Sequence, residues 1–169
     1  MIDMNQYLQL EFLSNAIKRM KENDDDDKKI IIAVQACIEL SHKARKNGII
    51  SLENFHTLDD ETVPCMSFLK TIIKLLVDGN DVDLIQIIGF NRIICCQATG
   101  YEALIRIIYL EGVLCVQQKD NPLVVQMKLL SLLPNRIIKL YGNNLSKEQN
   151  DSAGEIFFSS LPKGEIFQL

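Results

Sequence analysis

The chain has 169 residues, a formal net charge of −4, and 18 Lys plus Arg against 22 Asp plus Glu. That length suffices for one domain with a sizeable core and no metal or disulfide staple, and the acidic balance argues against nucleic acid, which requires a basic stripe. Five cysteines without paired ligand spacing sit mostly inside apolar runs as small hydrophobes and point to a reducing cytoplasm.

The segment 6–21 places Leu8, Phe12, Ala16 or Ile17 and Met20 at helical spacing, so an amphipathic helix that packs on the rest is expected. The charge run from Asn23 through Asp24-Asp25-Asp26-Asp27 to Lys29 ends that helix and supplies acid to the start of the next, where the macrodipole favours it. It lacks the alternating oxygens, glycine and distant Glu of a calcium loop. A helix over 30–46 follows, with Lys43, Arg45 and Lys46 in its last turn and Gly48 as C-cap. A short helix over 51–58 is expected next, opened by Ser51 with Glu53 in its first turn.

Residues 58–64 read as an acidic loop, Pro64 as the start of a helix through Leu76, and Asp78-Gly79-Asn80-Asp81 as a stop followed by a start. From there the pattern is helical to about Gln118, with Gly100 able to kink the helix without ending it. Asp120-Asn121-Pro122 gives a cap and a first-turn proline for a helix to Leu133. Ile137, Ile138 and Leu140 suggest one more turn, and the rest is a peripheral tail. Strand signals are nearly absent. The expected fold is all-α: a helical bundle of stacked hairpins with one long central helix, divided as an N-terminal helix and acidic linker (1–29), a helical domain (30–140) and a tail (141–169).

No catalytic constellation emerges. His42 and His56 lack ligand partners at metal spacing, no glycine-rich phosphate loop or nucleophile elbow is present, and Cys37 with His42 has poor geometry on one helix. Adjacent Cys95-Cys96 would form a strained bridge. The apolar stretch 84–117 is broken by Arg92, Glu102, Arg106 and Glu111, so no bilayer span is expected, and the N-terminus lacks the order of a signal peptide. The expectation is a soluble cytoplasmic protein that is not an enzyme and carries no cofactor or metal.

Three stretches stand out. Ala44-Arg45-Lys46-Asn47-Gly48-Ile49-Ile50-Ser51-Leu52-Glu53 sets an Arg and a Glu eight positions apart across a glycine break. Leu76-Val77-Asp78-Gly79-Asn80-Asp81 is the second. The third runs from Tyr109-Leu110-Glu111-Gly112-Val113-Leu114-Cys115-Val116-Gln117 through Asp120-Asn121-Pro122 to Lys128-Leu129-Leu130-Ser131-Leu132-Leu133-Pro134. In this order they resemble the cytoplasmic part of the MotA-type flagellar stator family, over residues 36–134. The family's membrane-spanning helices have no counterpart in this chain, since 84–110 alone separates the second and third stretches.

The resemblance implies a soluble stator relative that has kept a rotor-facing domain and conducts no ions. Arg45 and Glu53 match the family's charges that face the rotor switch protein, with Lys46 and Lys43 adding positive potential. The implied partners are that rotor protein or stator subunits. A homo-oligomer is open, with Leu104, Ile107, Ile108, Leu110 and Leu114 as a candidate interface, although burial against the 30–46 helix is the commoner use of such a stripe. The alternative is a helical structural or oligomerising protein with no motor role. Cys95, Cys96, Ala98 and Gly100 are small and suit close helix packing.

Overall fold

The computed structural model describes residues 11–142 apart from positions 13, 16, 17, 22, 56–62 and 99. Among these the fold is all-α, with no strand. The chain divides into two compact units, Met1–Pro134 and Asn135–Leu169. The second contributes a helical stretch at 135–142, and the predicted tail beyond it lies outside the described residues.

Helix α1 (Asp24–Asn47) begins earlier than its apolar pattern, because the acidic run forms its first turn. Asn23 caps it by accepting from the Asp25 N–H at 3.1 Å, and the four Asp side chains lie at the positive end of the helix. A 3₁₀ helix, Ile49–Leu52, follows directly. It replaces the predicted 51–58 helix, whose second half lies outside the described residues. Ser51 is inside this turn rather than before it, and its hydroxyl donates back to the Gly48 carbonyl at 2.6 Å.

Helix α2 (Met66–Val77) and helix α3 (Val82–Cys95) meet across the predicted turn at 78–81. Gly79 sits at φ +80°, where a side chain is strained, and the Asn80 N–H reaches back to the Leu75 carbonyl at 3.2 Å. Asp81 then caps α3 by accepting from the Leu84 N–H at 2.8 Å.

The continuous helix expected after Asp81 is instead two. α3 ends at Cys95, Gln97 takes a left-handed conformation at φ +51°, Ala98 is buried, and α4 (Gly100–Gln117) starts afresh. The turn carries Cys95 and Cys96 outward, so these two cysteines are exposed instead of packing between helices, whereas Cys37 and Cys115 are buried as small hydrophobes. Helix α5 (Pro122–Ser131) is capped by Asn121, which accepts from the Leu123 N–H at 3.1 Å, with proline at its first position.

The central element is α4, which touches α1, α2, α3 and α5. Its stripe Leu104, Ile108, Leu110 and Leu114 is buried within the monomer, so these residues are core rather than a free interface. Two glycines set the spacing around it. A Cβ on Gly112 would stand 2.5 Å from the Cys37 sulfur of α1, and a Cβ on Gly89 of α3 would stand 2.5 Å from a Leu110 methyl. The Tyr109 hydroxyl donates to the Pro64 carbonyl at 2.7 Å and ties α4 to the start of α2. From the predicted N-terminal helix, Phe12 meets the Phe90 ring edge-on at 5.8 Å and packs on Ala98 and Ala103. Leu8, Ala16 and Ile17 lie outside the described residues.

Candidate functional site: the loop after the first helix

The end of α1 is a chemical boundary. Its last turn needs donors for free carbonyls, and the chain must then reverse, which Gly48 does at φ +82° while its N–H closes on the Ala44 carbonyl at 2.8 Å. Beyond it the Glu53 N–H bonds the Ile50 carbonyl at 3.1 Å and the Phe55 N–H bonds the Leu52 carbonyl at 2.9 Å. Leu52 and Phe55 are buried, so the loop is anchored on both sides of Glu53 while Glu53 and Asn54 face solvent.

The predicted charges fall into two groups. Arg45, Lys46 and Glu53 are exposed and form no ion pair among the described residues. Lys43 is half-buried and engaged: its ammonium donates to the Asn54 carbonyl at 3.3 Å and lies 5.5 Å from the centre of the Phe55 ring. Lys43 therefore braces the loop, combining a hydrogen bond to a carbonyl with a cation–π contact.

Arg45 and Glu53 line different hollows. Arg45 belongs to a groove of about 590 Å³ formed with Ser41, Ala44, Gly48, Ile49, Ile50 and the end of α4, namely Val116, Lys119 and Asp120. Glu53 belongs to one of about 410 Å³ formed with Leu52, Asn54, Phe55 and the end of α2, including Lys74, Val77 and Asp78. The three sequence stretches singled out above thus converge at one end of the unit. The second and third are also joined directly, by the Gln117 side-chain amide donating to the Asn80 carbonyl at 2.9 Å.

Electrostatics in the first groove are set by a pair behind it. The Lys128 ammonium bonds Asp120 at 2.8 Å, and that hydrogen bond holds the Asp120 carboxyl below its ordinary value and Lys128 above its own. Asp120 is therefore neutralised within the protein. Cys115, nearby on α4, is pushed up to about 12, by burial first and then by Glu111. A thiol so protonated is a poor nucleophile. Among the described residues no group of three or more His, Cys, Asp or Glu could hold a metal ion, and no helix is long and apolar enough to cross a membrane.

Sequence reasoning missed Ile50, which is 77% exposed between the two charges, and Lys119, which brings a second cation, without an ion pair among the described residues, to Arg45's groove. Ile50 carried a weak signal: of two adjacent isoleucines in a tight turn after a glycine, both cannot face the core. Lys119 carried none, because its nearness to Arg45 depends on α4 ending beside α1. No family model and no curated protein matches the chain.

Proposed function

We propose that this protein is a non-catalytic, MotA-like interaction domain of the flagellar motor that contacts the rotor switch protein, or stator subunits, from the cytoplasm without conducting ions. The observation that carries the reading is the loop at 44–53. It presents Arg45 and Glu53 exposed and without an ion pair among the described residues, on a segment that Leu52, Phe55 and Lys43 hold in place. Two opposite charges on a rigid support orient a partner and speed its encounter more than they tighten the complex. The convergence of all three resembling stretches at this end adds support, since a shared partner surface accounts for their shared location.

The test is binding of the C-terminal domain of the rotor switch protein from the same cell, at low and at physiological salt. Wild-type protein is expected to bind in a salt-sensitive way, and Arg45→Glu to weaken binding about tenfold or more with helical content unchanged. Equal binding by both proteins removes Arg45 from the contact, and no binding at either salt removes the rotor partner.

One observation favours a second reading, a helical oligomerising protein with no motor role. Leu84, Ile87 and Ile94 lie exposed along one face of α3, opposite its buried residues Ile85, Gly89 and Ile93. Exposed apolar side chains grouped on one helix face mark a candidate association surface. Sedimentation of wild type against Ile87→Glu separates the readings: a dimer lost in the variant favours the second.

A further inference from the structure

We propose that the groove between the end of α1 and the end of α4 seats an acidic amphipathic helix of the partner. Arg45 and Lys119 hold its carboxylates from opposite walls, and Ile50 packs into its apolar face. This rests on the reading above for the identity of the partner, but not for the chemistry of the seat.

The floor is apolar, built from Ala44, Ile49 and Val116, with Ile50 at its edge. The rim is cationic: Arg45 and Lys119 are exposed and without ion pairs among the described residues, while the one acid present, Asp120, is taken by Lys128 at 2.8 Å. A net positive groove on a chain of net charge −4 selects a negative occupant locally. The volume, about 590 Å³, lies in the range of sites that bury an apolar group of substantial size.

The backbone decides which kind of anion fits. Both walls deliver helix C-termini, α1 ending at Asn47 and α4 at Gln117, so carbonyl oxygens and the negative ends of two dipoles meet here. A small free anion on the floor would face these carbonyls and apolar side chains. An acidic helix avoids that conflict: its carboxylates stay at the rim on Arg45 and Lys119, and its apolar residues cover the floor. Carboxylates three or four positions apart stand on one helix face, about 5–6 Å apart at Cβ, and serve two cations at once.

Two further observations bear on this place. Ile50, at 77% exposure, is the most exposed large apolar side chain among the described residues, and it stands at the groove's edge. Lys119 holds a left-handed conformation at φ +61°, fixed by its N–H on the Val116 carbonyl at 3.1 Å and by the Asp120 N–H on the Cys115 carbonyl at 3.0 Å. Cys65 and Gln97 also take positive φ, so this C-cap is not peculiar to the groove, but it fixes where Lys119 leaves the end of α4.

The experiment uses the whole chain and two ligands: a labelled synthetic amphipathic helix with leucines on one face and glutamates on the other, and the rotor switch domain. Wild type is expected to bind the probe, and Lys119→Glu and Ile50→Ser each to weaken it about tenfold. Lys28→Glu, an equal change of charge at the far end of α1, is expected to leave binding unchanged. A probe with glutamines for glutamates should not bind.

Equal binding of the glutamine probe, or indifference to both groove variants, overturns the proposal. Rotor binding lost in Arg45→Glu but untouched by Lys119→Glu and Ile50→Ser sinks the groove and leaves the partner reading standing. Probe binding with these sensitivities, but no rotor binding, upholds the groove and sinks the rotor as its occupant. Binding of neither ligand removes both.

Discussion

Gly112 of α4 and Cys37 of α1 touch where the two helices cross: a Cβ added at Gly112 would stand 2.5 Å from the Cys37 sulfur and 2.8 Å from its Cβ. The Cys37 thiol in turn donates to the Ile108 carbonyl at 3.6 Å, so it fills the space that the glycine leaves. Gly112→Ala is expected to cost about 1–3 kcal/mol, as overpacking does, and to lower the urea midpoint at unchanged slope. Cys37→Ala in the same chain should recover part of that loss, and a double-mutant cycle measures the coupling. Additive effects would mean that this contact does not set the spacing of the helices.

The buried thiols predict an alkaline weakness. Burial raises the Cys37 thiol far above its ordinary 9.0 and pushes Cys115 up to about 12. Below pH 9 both states are protonated and nothing is lost. Above it the unfolded thiols ionise while the folded ones cannot, so the unfolded state binds fewer protons and stability falls as pH rises. For Cys37 alone the fall approaches about 1.4 kcal/mol per pH unit, and Cys37→Ala should flatten the curve. Thiol labelling at mild pH should modify Cys95 and Cys96 rapidly, and Cys37 and Cys115 only on unfolding.

The pair Asp120–Lys128 has the opposite pH signature. The Asp120 carboxyl is held below its ordinary 3.8 by the Lys128 hydrogen bond, so its contribution is present above that value and lost as pH falls through the lowered one. Both groups are partly exposed, and Lys128→Met should cost at most about 1 kcal/mol near neutrality, the difference from wild type vanishing in acid. The same variant frees a negative charge in Arg45's groove and should weaken an acidic ligand there, which titration calorimetry can check.

Much of the punctuation was legible. Gly48, Gly79 and Asn121-Pro122 each act through local backbone chemistry, and each ends or starts a helix where the sequence places it. The break at 96–98 was not legible, because Ile93-Ile94-Cys95-Cys96 continues an apolar run and the left-handed residue is Gln97, which carries no turn signature. Ala98 going into the core is a tertiary event. The exposure of Arg45 and Glu53 follows from their charge, but their separation into two hollows follows from where α4 and α2 end, more than sixty and twenty residues along the chain, respectively. No local pattern encodes that.

Lys119 offers a test in which stability and binding part company. Left-handed backbone costs a side chain about 1–2 kcal/mol and glycine far less, offset in part by the entropy glycine loses on folding. Lys119→Gly should therefore raise stability by up to about 1 kcal/mol while removing one of the two cations from the groove. Higher thermal stability with weaker binding of an acidic helix is the expected outcome, and a loss of stability would show that the strain lies elsewhere.

Leu52 and Phe55, buried on either side of Glu53, have a mechanical consequence. Between Gly48 and Phe55 a load applied to Glu53 or Ile50 meets turns closed by backbone bonds, and Leu52 and Phe55 end in the core. The loop behaves as a cleat bolted to the deck at two points: a pull on it is shared by α1 and α2, the two helices against which its 3₁₀ turn packs.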